Sequence, residues 1–302
     1  MGKVWVGLFV TITVLVMAGC VSRVGPPVDL LAIPVATTPG DQLDPCSLTG
    51  PAAFEPAGIA RMPGKPTLDG CQVPVSTDEG KVFILLGIQA RVAALPEDRT
   101  LVAVLDRGAS IQQYSEVCDM ALVLDAGIAI TANAVPAGGE RLRPDLLCEL
   151  TKGAATGVFN VLAGGRAKFW TPEPNSLALV DACEVLPAET VHQQLDINDE
   201  SERSPAGHSC QWNGTDDWAM LQFPVVESPF EIGVPSGTPS EMIAGRESWV
   251  IDGGTICHVY TRHIEFTPGV GTFEFASLSV TTPGACTAAR ALAAQAWARL
   301  PN

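Results

Sequence analysis

The sequence predicts an α+β fold: two tandem modules, each an antiparallel sheet with an N-terminal and a C-terminal helix, stapled by disulfides. Three observations predict it. Eight cysteines fall into two sets of four with nearly equal spacing. Between them lie short apolar, β-branched runs broken by turn residues, the pattern of strands. Each set opens on a helix-start signal and closes on a run of helical periodicity.

The spacing is the strongest of the three. Cys46, Cys71, Cys118 and Cys148 are separated by 25, 47 and 30 residues, and Cys183, Cys210, Cys257 and Cys286 by 27, 47 and 29. Matching members lie 137 to 139 residues apart. Agreement in three successive intervals marks one unit used twice. Local sequence follows it: "CQV" at Cys71 matches "CQW" at Cys210, and "LDPCSLTGPA" from Leu43 matches "LVDACEVLPA" from Leu179. The expected divisions are a signal peptide at 1–20, an extended tether at 21–42, a first module at 43–163, a linker at 164–176 and a second module at 177–302.

Each element has a local reason. Asp181 with Glu184 three residues on has capping-box spacing, and Pro187 suggests a first turn that ends and restarts. Asp44-Pro45-Cys46 and Pro51 repeat that pattern, which sets Cys46 and Cys183 on the first turn of a helix. "KVFILLGI" and "LVAVLD" are the first strand candidates, with "WAMLQFPVV" and "SWVIDG" in their places later. "CDMALVLDAGIAITANAV" reads as a hairpin across Asp125-Ala126-Gly127, and its counterpart turns at "TPGVG". The last helix carries Cys286, Ala289, Ala293, Trp297 and Leu300 as one apolar stripe. Pro and polar residues in "GGRAKFWTPEPNS" mark the boundary between modules.

Composition bounds the rest. At 302 residues, 47% apolar and 17% charged, the chain has material for two cores. A formal charge of −15 repels phosphate backbones, so nucleic acid is not an expected partner. The apolar run Val4 to Ala18 is short for a bilayer span and suits a secretory signal. It ends in Met17-Ala18-Gly19-Cys20, which resembles a bacterial lipobox, so Cys20 is the expected lipidation site and membrane anchor. Export to the outer face of the cell membrane permits disulfides. The repeat favours pairing within modules, three options in each, and of these we favour first with second and third with fourth: Cys46–Cys71, Cys118–Cys148, Cys183–Cys210 and Cys257–Cys286. A zinc site is the rival reading, and no two cysteines have the close spacing it needs.

The search for chemistry finds no convergent set. His258 and His263 stand five apart on one predicted strand and so face opposite ways. His208 in "GHSC" lacks the frame of a nucleophile elbow. Asp196 to Glu202 briefly mimics a calcium loop, but Ser201 stands where Gly is needed and Gly207 where Glu is needed. Asp216 and Asp217, with His258, are the least implausible catalytic residues. Core packing is the expected role of Trp212, Trp218 and Trp249, with a ligand surface as the alternative. No cofactor and no metal are expected.

Asp44-Pro45-Cys46-Ser47-Leu48 with Pro51-Ala52, and Asp181-x-Cys183 followed by Leu186-Pro187-Ala188-Glu189, resemble the opening motif of an actinobacterial lipoprotein family, that of domain of unknown function 3558. Cys210-Gln211-Trp212 and the Cys-bearing terminal helix extend the resemblance. Val73 stands where the family has Trp, and Ala53 where it has Glu, so the first copy is the more divergent. The resemblance implies a lipid-anchored α+β envelope protein and no catalytic residues. The expectation is a non-enzymatic protein that binds an envelope protein or small ligand, with a sensor or accessory subunit as the alternative and an envelope hydrolase behind it.

Overall fold

The computed structural model describes residues 42–302 except 56, 62–63, 92–94, 106–108, 116–117, 125–127, 140, 198–200, 205 and 267–270. The expected signal peptide, Cys20 and nearly all of the tether lie outside the described residues. The architecture is mixed α+β, with two eight-stranded antiparallel sheets, one in each half of the chain.

The chain enters through β1 (Gln42–Leu43). Where the sequence predicts a helix in the first half, there are two 3₁₀ turns, Pro45–Ser47 and Pro51–Ala53. Proline explains the difference. Pro51 holds Gly50 extended, so the first turn stops before a second can build on it. The cap itself forms, because Asp44 Oδ1 accepts from the Cys46 amide at 2.9 Å. Then follow β2 (Ile59–Ala60), β3 (Lys65–Pro66), β4 (Cys71–Thr77), β5 (Gly80–Arg91), β6 (Thr100–Val104), β7 (Ser110–Gln113), β8 (Met120–Val123) and β9 (Ile128–Pro136). Their spatial order is β2-β4-β5-β9-β8-β7-β6, with β3 also on β4. Thus β4 and β5 form a hairpin, the chain crosses to the far edge, and a meander returns to pair β9 with β5. Alternation sends Cys71, Val73, Val75, Val82, Ile84 and Leu86 to one face. Helix α1 (Pro144–Ala163) covers that face with Leu147, Leu150, Ala154 and Val158.

After β10 (Phe169–Trp170), which pairs with β1, the second half begins. Its opening helix is split into α2 (Ala182–Val185) and α3 (Ala188–His192) at Pro187. Asp181 Oδ1 accepts from Cys183 and Glu184 amides at 2.8 and 3.3 Å. The strands are β11 (Glu202–Arg203), β12 (Ser209–Asn213), β13 (Trp218–Gln222), β14 (Val225–Val226), β15 (Ser240–Ile243), β16 (Arg246–Asp252), β17 (Ile256–Glu265) and β18 (Phe273–Thr281). Their order is β11-β12-β13-β18-β17-β16-β15, with β14 also on β18. The same hairpin, crossing and returning meander recur. Helix α4 (Ala285–Trp297) covers the sheet with Ala289, Leu292, Ala293, Ala296 and Trp297.

Four disulfides are present: Cys46–Cys71, Cys118–Cys148, Cys183–Cys210 and Cys257–Cys286, with Cα separations of 4.9, 4.9, 5.1 and 5.0 Å. The first and third tie an opening turn to a strand. The second and fourth tie the start of an inner strand to the terminal helix.

Close packing in the first half depends on two glycines of α1. A Cβ at Gly153 would collide with the Ala53 carbonyl oxygen, and one at Gly157 would lie 2.7 Å from Ala53 Cβ. The second 3₁₀ turn therefore lies directly on the helix backbone. Gly153→Ala gains about 1 kcal/mol of helix propensity, but overpacking against backbone costs about 1–3 kcal/mol. We expect a net loss of stability in urea denaturation. A rise in stability would show that the turn does not rest on α1.

Candidate functional site

The close approach at Gly153 and Gly157 leaves a groove on either side of the contact. It has a volume of about 720 Å³ and lies between the segment Cys46–Ala57 and the outward side of α1. Its helix wall runs from Glu149 to Asn160, about 16 Å at 1.5 Å per residue. Both dimensions suit a small, elongated ligand. Phe54, Ala52, Ala53 and Val161 contribute apolar lining.

Charge is distributed unevenly along it. Glu149 and Lys152 stand toward the start of α1, whereas Arg166 and Lys168 follow its C-terminal end. Arg166 donates from Nη2 to the Asn160 carbonyl at 3.0 Å, completing the helix end. The Lys168 backbone amide donates to Ser47 Oγ at 2.9 Å, which fixes this basic end against the opening turn. Among the described residues, neither the Lys152 nor the Lys168 ammonium makes an ion pair. Lys65, Arg143, Arg203 and Arg290 are each paired with carboxylates. Thr49 also lines the groove; it is only 6% exposed, and its hydroxyl has no partner among the described residues.

A second constellation lies where the halves meet. The turn between β3 and β4 inserts Leu68, 4% exposed, into the core of the second half. Beside it, His208 Nδ1 lies 2.6 Å from Asp69 Oδ1 and Nε2 lies 2.9 Å from the Ala178 carbonyl. Glu274, 1% exposed, accepts from Ser176 Oγ at 2.5 Å and from the Leu177 amide at 2.6 Å. Burial pushes the Glu274 carboxyl above its ordinary range, opposed by those two donors and by His208. Burial alone would push His208 down, but the Asp69 carboxylate, Ala178 carbonyl and Glu274 outweigh it and hold the imidazole above its ordinary value. Lys65 adds ion pairs across the same boundary, 3.2 Å to Glu227 and 2.8 Å to Glu231.

Trp212, Trp218 and Trp249 do not share one surface. Trp212 is fully buried, facing the core with Cys210 and Leu221, so it cannot meet a ligand. Trp218 and Trp249 are half-buried on the opposite face, but they do not share a cleft. Trp249 aligns through Tyr260 with Ser277, whereas Trp218 aligns with Thr281. That leaves them about 13 Å apart along the strands and three strand spacings apart across them.

The other candidates are equally dispersed. His258 Nδ1 lies 2.8 Å from Ser279 Oγ, and His263 Nε2 lies 2.6 Å from the Asn175 carbonyl. Burial pushes both imidazoles down. Asp217 Oδ2 accepts from the Asp196 amide at 2.9 Å in a hairpin turn. Asn198 to Glu200 of the acidic loop lie outside the described residues, and no metal-ligating cluster occurs among those described. Sequence reasoning missed both the groove and the Asp69–His208 contact. The available signal was positional: each of these residues stands two before the second cysteine of its set.

No protein-family model matches the chain, and no curated protein is similar to it. Among solved structures it is similar to DynU16, a protein from the dynemicin biosynthetic locus. The identity is 14%, over 85% of this chain and 93% of that one, with a TM-score of 0.15.

An unpartnered buried hydroxyl is destabilising, so Thr49→Val should raise the stability of the free protein by about 1 kcal/mol in urea denaturation. A loss of stability instead would mean that the hydroxyl already has a partner.

Proposed function

We propose that this chain is an exported, lipid-anchored and non-enzymatic envelope protein, built from two copies of one disulfide-bonded module. It binds a small, elongated ligand with an anionic end in the groove beside α1. The observation that carries this reading is the groove itself, apolar along Phe54, Ala53 and Val161 and flanked by Lys152 and Lys168, whose ammonium groups make no ion pair among the described residues. The anionic end lies beside Lys168 and Arg166, and the apolar body runs along Val161, Phe54 and Ala53.

Other observations support the compartment and the duplication. Four disulfides fit an oxidising environment. No described helix is long and apolar enough to cross a membrane; the lipobox resemblance of Met17-Ala18-Gly19-Cys20 is what assigns the anchoring role to Cys20. Equivalent strand orders in the two sheets support one module used twice, as does the resemblance to the family of domain of unknown function 3558. A sensor or accessory subunit is the second reading, favoured by the polar contact between the halves.

Two fluorescent probes test the groove: 8-anilinonaphthalene-1-sulfonate, which is anionic, and N-phenyl-1-naphthylamine, its uncharged counterpart. We expect the anionic probe to bind at least about tenfold more tightly, since charge-assisted hydrogen bonds are worth about 1.5–3 kcal/mol. Lys168→Met should remove most of that preference. Equal affinity for both probes would remove the anionic assignment and keep the groove, and binding of neither would remove both. For the anchor, Cys20→Ala should move the protein from the membrane fraction to the soluble fraction; retention in the membrane fraction would contradict lipidation there.

A further inference from the structure

The polar contact between the halves is arranged in a way that structural support alone does not require. Both imidazole nitrogens of His208, a residue only 2% exposed, face acceptors: the Asp69 carboxylate at 2.6 Å and the Ala178 carbonyl at 2.9 Å. A neutral imidazole has one N–H and one lone pair. With Nε2–H donated to Ala178, the Nδ1 lone pair would point at an ionised carboxylate. With the proton on Nδ1 instead, the Nε2 lone pair would face the Ala178 carbonyl, so the two contacts together need one proton more than an ionised Asp69 and a neutral His208 supply. Held on His208 as the imidazolium, that proton closes both contacts.

We propose that Asp69 and His208 form a proton-dependent clamp between the two halves of the chain. Asp69 belongs to the turn that also delivers Leu68 into the second core. Ala178 belongs to the 3₁₀ turn Leu177–Leu179, whose Ser176 and Leu177 hold Glu274 of β18. The charged groups around His208 are thus Asp69 from the first half, Glu274 from the sheet, and the Asp181–Arg203 ion pair flanking Gly207. Losing the imidazolium leaves two carboxylates, Asp69 and buried Glu274, without their shared cation.

The two positions are also equivalent. Residues 69 and 208 are 139 apart, as are Cys71 and Cys210 two residues on. Taken with the duplication proposed above, a contact between equivalent positions lies close to the axis that relates the halves. Identical residues there would oppose two carboxylates or two imidazoles. The chain instead carries opposite charges, which favours one half joining the other over two like halves joining between molecules.

The direction of the pH effect follows from the raised His208 value. Its contribution is fully present below the ordinary histidine value and is lost as pH rises through the folded one. Hydrogen exchange on the full chain at pH 6 and pH 9, corrected for intrinsic rates, reads this locally. The amides of 68–70 and 207–209 should lose about tenfold or more of their protection at the higher pH, matching loss of a charge-assisted bond. Those of Ala289–Ala293 should be unchanged. In His208→Gln, and in the milder Asp69→Asn, the same amides should be weakly protected at both pH values. Nitrogen NMR of the wild-type imidazole should show both nitrogens protonated at pH 6. A bare nitrogen at pH 6, or wild-type protection equal at the two pH values, overturns the clamp.

Discussion

The structure depends first on a covalent constraint: the disulfide from each opening turn to the strand that begins its sheet. Cys46 bonds to Cys71 and Cys183 to Cys210, closing separations of 25 and 27 residues. In the chain-entropy account, loops of that size stabilise by up to ~3.5 kcal/mol each. The larger consequence is geometric. Short turns such as Pro45–Ser47 have little cooperative stability of their own, so their position comes from the bridge. With the turn fixed on β4, Thr49 and Ala53 are carried onto α1, and the groove acquires its second wall.

The halves share this plan but use it differently. In the first, α1 offers glycines at 153 and 157, and the opening segment settles onto bare helix backbone. In the second, α4 presents alanines to the sheet, and the end of the chain is gathered by Arg246. That residue donates to the carbonyls of Trp297, Leu300 and Pro301 at 3.2, 3.2 and 2.6 Å. Arg299 adds a bond to the Val185 carbonyl at 3.0 Å, drawing α2 against the same end. Arg166 finishes α1 with a single carbonyl, Asn160, and the neighbouring Lys168 ammonium makes no ion pair among the described residues. The terminal helices thus differ in what packs against them, and the groove lies beside α1.

The sheets were largely legible in the sequence, since alternation in "CQVPVST" and "CQWNG" states which side chains face inward. Cysteine spacing added the framework of bridges. Helix starts were less legible. The Asp caps at 44 and 181 form, but whether a turn lengthens into a helix depended on prolines and on tertiary contact, and Pro51 ended it early. The facing of each tryptophan was less legible, because residue type does not report it. Trp212 falls on the inward register of β12, opposite Ala219, and only the pairing reveals this. The groove was illegible because its parts lie about 100 residues apart and their meeting depends on missing side chains at 153 and 157. His208 was illegible for a similar reason, since Asp69 stands in the other half.

The proposed ligand site of this protein is the groove beside α1. The most direct measurement is a backbone-amide NMR titration of the full chain with 8-anilinonaphthalene-1-sulfonate. The account requires shifts centred on Ser47–Glu55 and on Gly153–Lys168, with the second sheet undisturbed. Shifts confined to Trp218, Trp249 and the outward face of the second sheet would contradict it.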